Sequence, residues 1–371
     1  MTSLCEELAE ELGEKAQIER VENAILEKAF NRIRISDKEA LFLWRHGNFR
    51  KMGDVAHQLR CQILPPNEVS YTVYRVVNYT NYCNVECTFC SFMDEVGSNK
   101  GYTLTVEQIL QKLYEAEKLD SHQLFLQGGV NPELPFSYYI EVLQGVKKHF
   151  PHMHIRAFSP VEVIFMSRLT KLPLEEVFLT LKEAGMGSFP GAGAEILTER
   201  MRQILSPKKT TPQEWVLAMA TAGKCGLPGS ANIVWGSEEY DTEIITHLSL
   251  IRQLQDENKV LLSFVPWTFQ AQTKKFRIRK VSSHEYLKMI ALCRLYLDNI
   301  EHIEVSVMVV GKALAELALY FGADDINSPV IEENVLRSYG LKTVAEAEKF
   351  ISEAGFTPVR RNFLYDRGKK T

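Results

Sequence analysis

The sequence predicts an α/β protein built as a (β/α)8 TIM-type barrel, with an N-terminal helical extension and a C-terminal helix. Three observations carry this. Residues 1 to about 67 read as helices alone, whereas from Val69 short strands alternate with amphipathic helices, the mark of a parallel sheet. The alternation continues to about Gly340 in close to eight units, and roughly 250 residues is typical of such a barrel. Glycines and polar residues cluster just after the strands, at the end where a parallel barrel assembles its site.

The elements follow in order. The extension, residues 1–67, shows helical spacing in Val21-Glu-Asn-Ala-Ile-Leu-Glu-Lys-Ala-Phe30 and a capping box at Ser36-Asp-Lys-Glu39, and closes at Pro65-Pro66. In the barrel region, residues 68–340, Val69–Val77 alternates as a strand, and Thr105-Val-Glu-Gln108 caps a helix ending near Leu119. Gln123–Leu126 is a short strand before Gly128-Gly129, a helix spans about Phe136–Phe150, and His152–Phe158 is the next strand. Leu174–Ala184 is helical, and Thr211-Pro-Gln-Glu214 joins an N-cap, a first-turn proline and a capping box. Strands at Ser230–Val234, Val260–Val265 and Ile303–Val309 alternate with helices at Thr242–Gln255, Ser283–Leu297 and Ala313–Tyr320. Residues 341–371 hold a last capped helix, Thr343 to Ala354, and an Arg- and Lys-bearing tail, both packing on the barrel, the tail surface-bound or frayed.

Composition narrows the function classes. The 371 residues are 45% hydrophobic and 24% charged, an ordinary composition for a globular chain with a large core. A net charge of −4 gives no basic footprint for nucleic acid. The acidic amphipathic start is unlike a signal peptide, and no apolar run approaches membrane-spanning length. A cytoplasmic location, with reduced thiols, is expected.

The most informative segment is Asn81-Tyr-Cys-Asn-Val-Glu-Cys-Thr-Phe-Cys90. Cys83, Cys87 and Cys90 offer three thiolates from one loop, enough for three irons of a [4Fe-4S] cluster and leaving the fourth iron open to a non-protein ligand. A zinc knuckle needs a fourth Cys or His nearby, and the next downstream histidine, His122, lies beyond a predicted helix. A disulfide would leave an odd cysteine. Cys5, Cys61, Cys225 and Cys293 are scattered and read as free thiols.

This loop resembles the signature of radical S-adenosylmethionine (SAM) enzymes, in which an aromatic residue, here Phe89, precedes the last cysteine. Further segments resemble the futalosine-pathway group, nearest the cyclic dehypoxanthine futalosine synthase branch. They are Asn78-Tyr-Thr-Asn-Tyr-Cys83, Leu126-Gln-Gly-Gly129, Phe158-Ser-Pro160 with Glu162, Gly193-Ala-Glu-Ile-Leu197, Phe264-Val-Pro-Trp-Thr-Phe-Gln270 and Phe321-Gly-Ala-Asp-Asp325 with Ile331-Glu-Glu-Asn334. The likeness covers about residue 34 to Tyr365. The chain departs from that branch at Arg156, where a histidine is usual, and at Ala192, Gly229-Ser-Ala-Asn-Ile233 and Asp324.

The resemblance implies two cofactors, the [4Fe-4S] cluster and S-adenosyl-L-methionine. Phe89 is expected against the adenine, Gln127, Gly128 and Gly129 near the methionyl amino end, and Glu195 and Arg202 at the ribose, amino or carboxylate groups. The bland alternative for the last two is an exposed helical ion pair. Substrate contacts are expected from Arg156, Trp267, Thr268, Gln270 and Asn334 on the rim, with Asp325 and Glu332 as candidate general bases. The implied reaction takes hydrogen from ribose C4′ of dehypoxanthine futalosine and closes a bond onto its benzoate ring, in menaquinone biosynthesis. The alternatives are aminofutalosine synthase, a deazaflavin-forming radical SAM synthase, or a non-catalytic iron–sulfur protein. The implied partner is an electron donor such as flavodoxin or ferredoxin, and a homodimer is left open.

Overall fold

The computed structural model describes residues 2–270, 278–331 and 341–366, with side chains from residue 13 onward. Helices α1 (Thr2–Phe30), α2 (Asp37–His46) and α3 (Phe49–Ile63) form the extension. The capping box at Ser36 is present, its hydroxyl accepting from the Glu39 N–H while the Glu39 carboxylate accepts from the Ser36 N–H.

The predicted strand over Val69–Val77 is two strands, β1 (Glu68–Tyr71) and β2 (Tyr74–Asn78), because each pairs with a different partner. Then come α4 (Val106–Lys118), β3 (Gln123–Gln127), α5 (Phe136–His149) and β4 (His154–Ala157). After them lie α6 (Pro160–Thr170), α7 (Leu174–Glu183), α8 (Glu199–Leu205) and α9 (Pro212–Lys224). Helix α6 did not stand out in the sequence, because it is apolar on all sides; Ser159 and Glu162 cap it reciprocally. The chain continues through β5 (Gly229–Trp235), α10 (Asp241–Asn258), β6 (Leu261–Thr268), α11 (Ser283–Tyr296) and β7 (His302–Ile303). The strand expected over Ile303–Val309 is cut short, since Val307–Val310 turns into the short helix α12. Helix α13 (Lys312–Leu319), β8 (Val330–Ile331), α14 (Val344–Glu353) and β9 (Thr357–Arg360) complete the chain.

The barrel is parallel and closed. β4, β3, β2 and β8 run side by side, as do β5, β6 and β7. Single parallel bridges at Arg156–Ser188 and Phe189–Gly229 place a minimal strand, Ser188–Phe189, between the two groups, and a Glu304–Asp325 bridge ties β7 to the chain leading into β8. Side chains alternate between the lumen and the surrounding helices. Leu124, Leu126, Ile155, Ala157, Ala231, Ile233 and Phe264 belong to one continuous apolar core between strands and helices. The alternate positions face the lumen: Tyr74, Val76 and Phe125 low in it, Val234 and Val265 higher, and among them the polar Asn78, Gln127, Arg156, Ser188, Ser230, Asn232 and Ser263. Barrel interiors are normally filled by branched apolar side chains.

The C-terminal segment differs from the sequence expectation. Rather than lying on the surface, Thr357–Arg360 pair in parallel with β1, and Arg361 and Phe363 are buried. Phe363 packs in a small cluster with Tyr74, Val76, Phe125 and Val330, plugging the lower end of the barrel. Burying Phe363 and inserting Arg361 into a carboxylate pair outweigh the hydration that a frayed tail would keep.

Candidate active site

The cysteine loop follows β2 and is tied down from two sides. Asn84 donates its N–H to Val130 O at 3.0 Å, and the Val130 N–H points back to Cys83 Sγ at 3.4 Å. The Thr88 N–H and hydroxyl both donate to Leu205 O at the end of α8, at 2.9 and 2.8 Å. Cys83, Cys87 and Cys90 are all free thiols. Burial pushes the Cys83 and Cys90 thiols up, with the neighbouring Cys87 adding to the effect. Such a thiol trio favours a bound cation, which offsets the cost of holding thiolates in a dry site.

The turn after β3 sits directly against this loop. A Cβ on Gly129 would collide with Tyr82 O and approach Cys83 Cβ to 2.9 Å, and one on Gly128 would meet the Tyr79 ring at 2.7 Å. Both glycines are therefore required for backbone to reach the cysteines. Their N–H groups are engaged, Gly128 donating to Glu162 Oε1 at 3.1 Å and Gly129 to Thr80 O at 2.9 Å. What the turn has to offer an ammonium group is carbonyl oxygen. Glu162, buried at the start of α6, also accepts from Tyr79 Oη at 2.6 Å and from the Ser159 N–H and hydroxyl at 2.7 and 2.6 Å. Burial outweighs these donors and raises its carboxyl to about 7.

A buried ion triad flanks the loop. Glu195 accepts from Arg202 Nη1 at 2.9 Å and from Lys209 Nζ at 2.9 Å on each oxygen. The three side chains are 9%, 3% and 7% exposed, so the Coulomb attraction is little screened. Burial alone would raise the Glu195 carboxyl, but Lys209 and then Arg202 more than offset it and hold it low. Lys209 also feels Cys87, and its ammonium lies 5.8 Å from the Phe89 ring centroid. Arg202 keeps Nε and Nη2 buried without partners. Glu195 has a left-handed φ of 44°, a strained backbone state for a side-chain-bearing residue, of the kind that concentrates at functional sites.

Above the lumen, Phe89 meets Phe269 edge to face at 5.6 Å between ring centroids. Within it, Asn78 Oδ1, Asn232 Oδ1, Arg156 Nε and Trp267 Nε1 are buried without hydrogen-bond partners. Four along one lumen leave hydrogen-bonding capacity there for a polar ligand or water.

Comparison with known proteins bears on the same segments. Residues 77–251 match the family model of the radical SAM superfamily, and residues 258–370 match that of the CofH/MqnC C-terminal region. A cyclic dehypoxanthine futalosine synthase of Halalkalibacterium halodurans is 36% identical over 348 residues, covering 93% of this chain and 94% of the relative. The chain belongs to the radical SAM superfamily. A second protein named cyclic dehypoxanthine futalosine synthase, from Streptomyces coelicolor, is 34% identical to this chain, covering 96% of it and 90% of the relative. A 5-amino-6-(D-ribitylamino)uracil–L-tyrosine 4-hydroxyphenyl transferase of Archaeoglobus fulgidus is 35% identical, covering 84% and 92%. The hydrogenase maturase HydG shares the fold at a TM-score of 0.73 and 18% identity, covering 91% of this chain and 76% of its own. The protein is thus an enzyme of the radical SAM type, a family that uses an iron–sulfur cluster and S-adenosylmethionine.

The residues fit both groups. Three unpaired thiols in one loop suit the cluster, and the unpartnered Arg202 nitrogens, beside a carbonyl-bearing Gly128-Gly129 turn, suit the carboxylate and ammonium of an amino acid. Glu195 and Arg202 are not the exposed helical pair of the bland alternative; they are buried beside the cluster loop.

Other expected site residues fall differently. Thr268 and Gln270 lie at the top of β6 and just past it, Gln270 donating to Thr268 O at 3.2 Å, and Trp267 turns its indole N–H into the protein. Arg156 is one inward step below the rim, on the lumen wall. Asp325 is not a rim base. It is fully buried at the barrel floor, where Arg361 donates to it at 2.5 and 2.8 Å and Ser70 at 2.5 Å. Its lone pairs are taken by that pair, so it is in no position to receive a substrate proton. Glu332 and Asn334 lie outside the described residues. Sequence reasoning missed Lys209, whose signal was a lysine pair in Pro207-Lys-Lys-Thr210 just ahead of the capped α9, and it missed the lumen acceptors Asn78 and Asn232.

Proposed function

We propose that the enzyme converts dehypoxanthine futalosine to cyclic dehypoxanthine futalosine, a step of menaquinone biosynthesis by the futalosine route. One observation carries the reading: the cysteine loop caps a polar lumen whose wall holds a buried cation, two open acceptors and an inward indole N–H. A substrate with a carboxylate, sugar hydroxyls and an arene matches that set. Two relatives bearing that activity in their names, at 36% and 34% identity over nearly the whole chain, support it.

Cys83, Cys87 and Cys90 would hold the [4Fe-4S] cluster, which together with SAM would supply a 5′-deoxyadenosyl radical. The chain's own residues position and shield. Arg202 and the Gly128-Gly129 carbonyls hold the methionyl end, Lys209 and Glu195 keep the loop in place, and Phe89 with Phe269 closes the lumen to water. Trp267 and Thr268 border the upper lumen on the sugar side and Gln270 the mouth. In the substrate, a hydrogen atom leaves ribose C4′ and ends in 5′-deoxyadenosine. The C4′ radical would bond to the arene, which would regain aromaticity by giving its ring proton to water and one electron back to the oxidised cluster, balancing the electron spent in cleaving SAM. An electron donor of flavodoxin or ferredoxin type and a cytoplasmic location complete the proposal.

The second reading, a deazaflavin-forming synthase, draws on the transferase relatives such as that of Archaeoglobus fulgidus at 35% identity. Anaerobic turnover separates the two. A product two mass units below dehypoxanthine futalosine, formed with 5′-deoxyadenosine, is expected; 5′-deoxyadenosine without that product would refute the cyclase.

A further inference from the structure

Arg156 is a charged side chain inside the barrel whose counter-ion is not supplied at contact distance. It is 7% exposed, in register with Phe125 of β3 and bridged to Ser188. Its Nη2 donates to Ser230 Oγ, and its Nε is buried with no partner. Among the described residues no carboxylate lies within 4.0 Å of it, although lumen ion pairs that do form are closer than that.

The other lumen charges are already matched. Arg361 and Asp325 hold each other, and Glu304 accepts from Ser263 and from Tyr365 Oη at 2.8 Å, with Arg361 at 3.8 Å. Glu304 therefore offsets Arg156 only at a distance. Below Arg156 the lumen is shut, since its guanidinium carbon lies 5.1 Å from the ring centroid of Phe363 in the C-terminal plug. One step nearer the rim come the open acceptors Asn78 Oδ1 and Asn232 Oδ1, and then Trp267 Nε1. From floor to rim the wall thus presents a cation, hydrogen-bond acceptors, an indole, and finally the cysteine loop.

A buried cation left without its partner is costly unless something completes it, and a planar guanidinium is suited to a planar carboxylate. We propose that Arg156 is the seat of the substrate's arene carboxylate, so the substrate enters arene first. Its ribose hydroxyls then face Asn78 and Asn232, and its sugar lies toward the cysteines. This assignment rests on the cyclase reading and gives it a direction.

The test uses cluster-loaded, SAM-bound, unreduced enzyme and calorimetric binding of dehypoxanthine futalosine and of its benzamide analogue. Wild type should bind the acid about thirtyfold more tightly than the amide, the usual scale for a charged hydrogen-bonded contact. Arg156→Met should lose that factor for the acid and bind acid and amide alike, while Arg156→Lys recovers part of the preference. A variant that still prefers the acid by the wild-type factor would overturn the assignment. So would a wild type that forms the cyclic product yet binds acid and amide equally, which leaves the cyclase reading standing. A wild type that cleaves SAM but binds no dehypoxanthine futalosine would sink the cyclase reading, and the seat with it. If Arg156→Met loses cluster or fold, the acid–amide ratio in wild type and Arg156→Lys still decides.

Discussion

Replacing Glu195 by Gln should damage the protein far more than replacing Lys209 by Met, although both remove one charge from the same triad. In the wild type one carboxylate sits between two cations, all less than a tenth exposed. Removing the carboxylate strands Arg202 and Lys209 as two unpaired buried cations 2.9 Å from where their partner stood. Breaking a buried pair in this way costs about 3–5 kcal/mol. Removing Lys209 leaves Glu195 and Arg202 as a matched pair, so the loss should be about 1–2 kcal/mol, the worth of one charge-assisted hydrogen bond. The double variant E195Q/K209M leaves a single unpaired cation and should recover about 1–2 kcal/mol relative to E195Q. Anaerobic urea unfolding of the four proteins, at matched cluster content and followed by tryptophan fluorescence, gives the cycle. Equal losses in the two single variants, or no recovery in the double, would refute the reasoning that Glu195 is the charge on which the triad depends.

Three other outcomes follow from the same geometry. Any of Cys83→Ala, Cys87→Ala or Cys90→Ala should drop bound iron to background after reconstitution while the far-ultraviolet circular dichroism stays that of wild type; a variant with full iron would remove that cysteine from the ligand set. Glu162, raised from 4.5 to about 7 by burial, contributes stability that is present below 4.5 and lost as pH rises through 7, about 3 kcal/mol in all. The stability difference between wild type and Glu162→Gln should therefore shift in favour of Gln between pH 5 and 8, and parallel pH profiles would show that the carboxyl is already ionised at pH 5. Arg361→Met leaves Asp325 as a buried charge without its bidentate partner, at a cost of about 3–5 kcal/mol, and should open the barrel floor to limited proteolysis after Phe356; protection equal to wild type would show that the plug does not depend on that pair.

The barrel was legible because its cues are local. The capping boxes at Ser36, Thr105 and Thr211 place helix starts to the residue, and the apolar strands between them stand out by composition. The three clustered cysteines stood out as a candidate ligand set for the same reason, since all three lie within eight residues of one another. What failed was non-local. The break between β1 and β2 depends on pairing with β9, some 290 residues away, and no property of Tyr71–Tyr74 announces it. The tail looked polar because its arginines are charged, yet Arg361 is buried by a carboxylate that the fold alone brings near. Asp325 was expected on the rim from the family resemblance, but it lies at the barrel floor, bridged to Ser70 and Glu304 and held by Arg361. Lys209 was hidden by its neighbour Lys208, which pairs with Glu86 at the surface at 2.5 Å as lysines usually do, while Lys209 turns inward.

The central claim is that radical chemistry beneath the cysteine loop closes a ring in dehypoxanthine futalosine. Its most direct test is a single anaerobic reaction with reconstituted enzyme, dithionite, SAM and that substrate carrying deuterium at ribose C4′. The account predicts deuterium in the 5′-deoxyadenosine and a cyclic product that has lost it. Unlabelled 5′-deoxyadenosine, or labelled 5′-deoxyadenosine with no cyclic product, would contradict it.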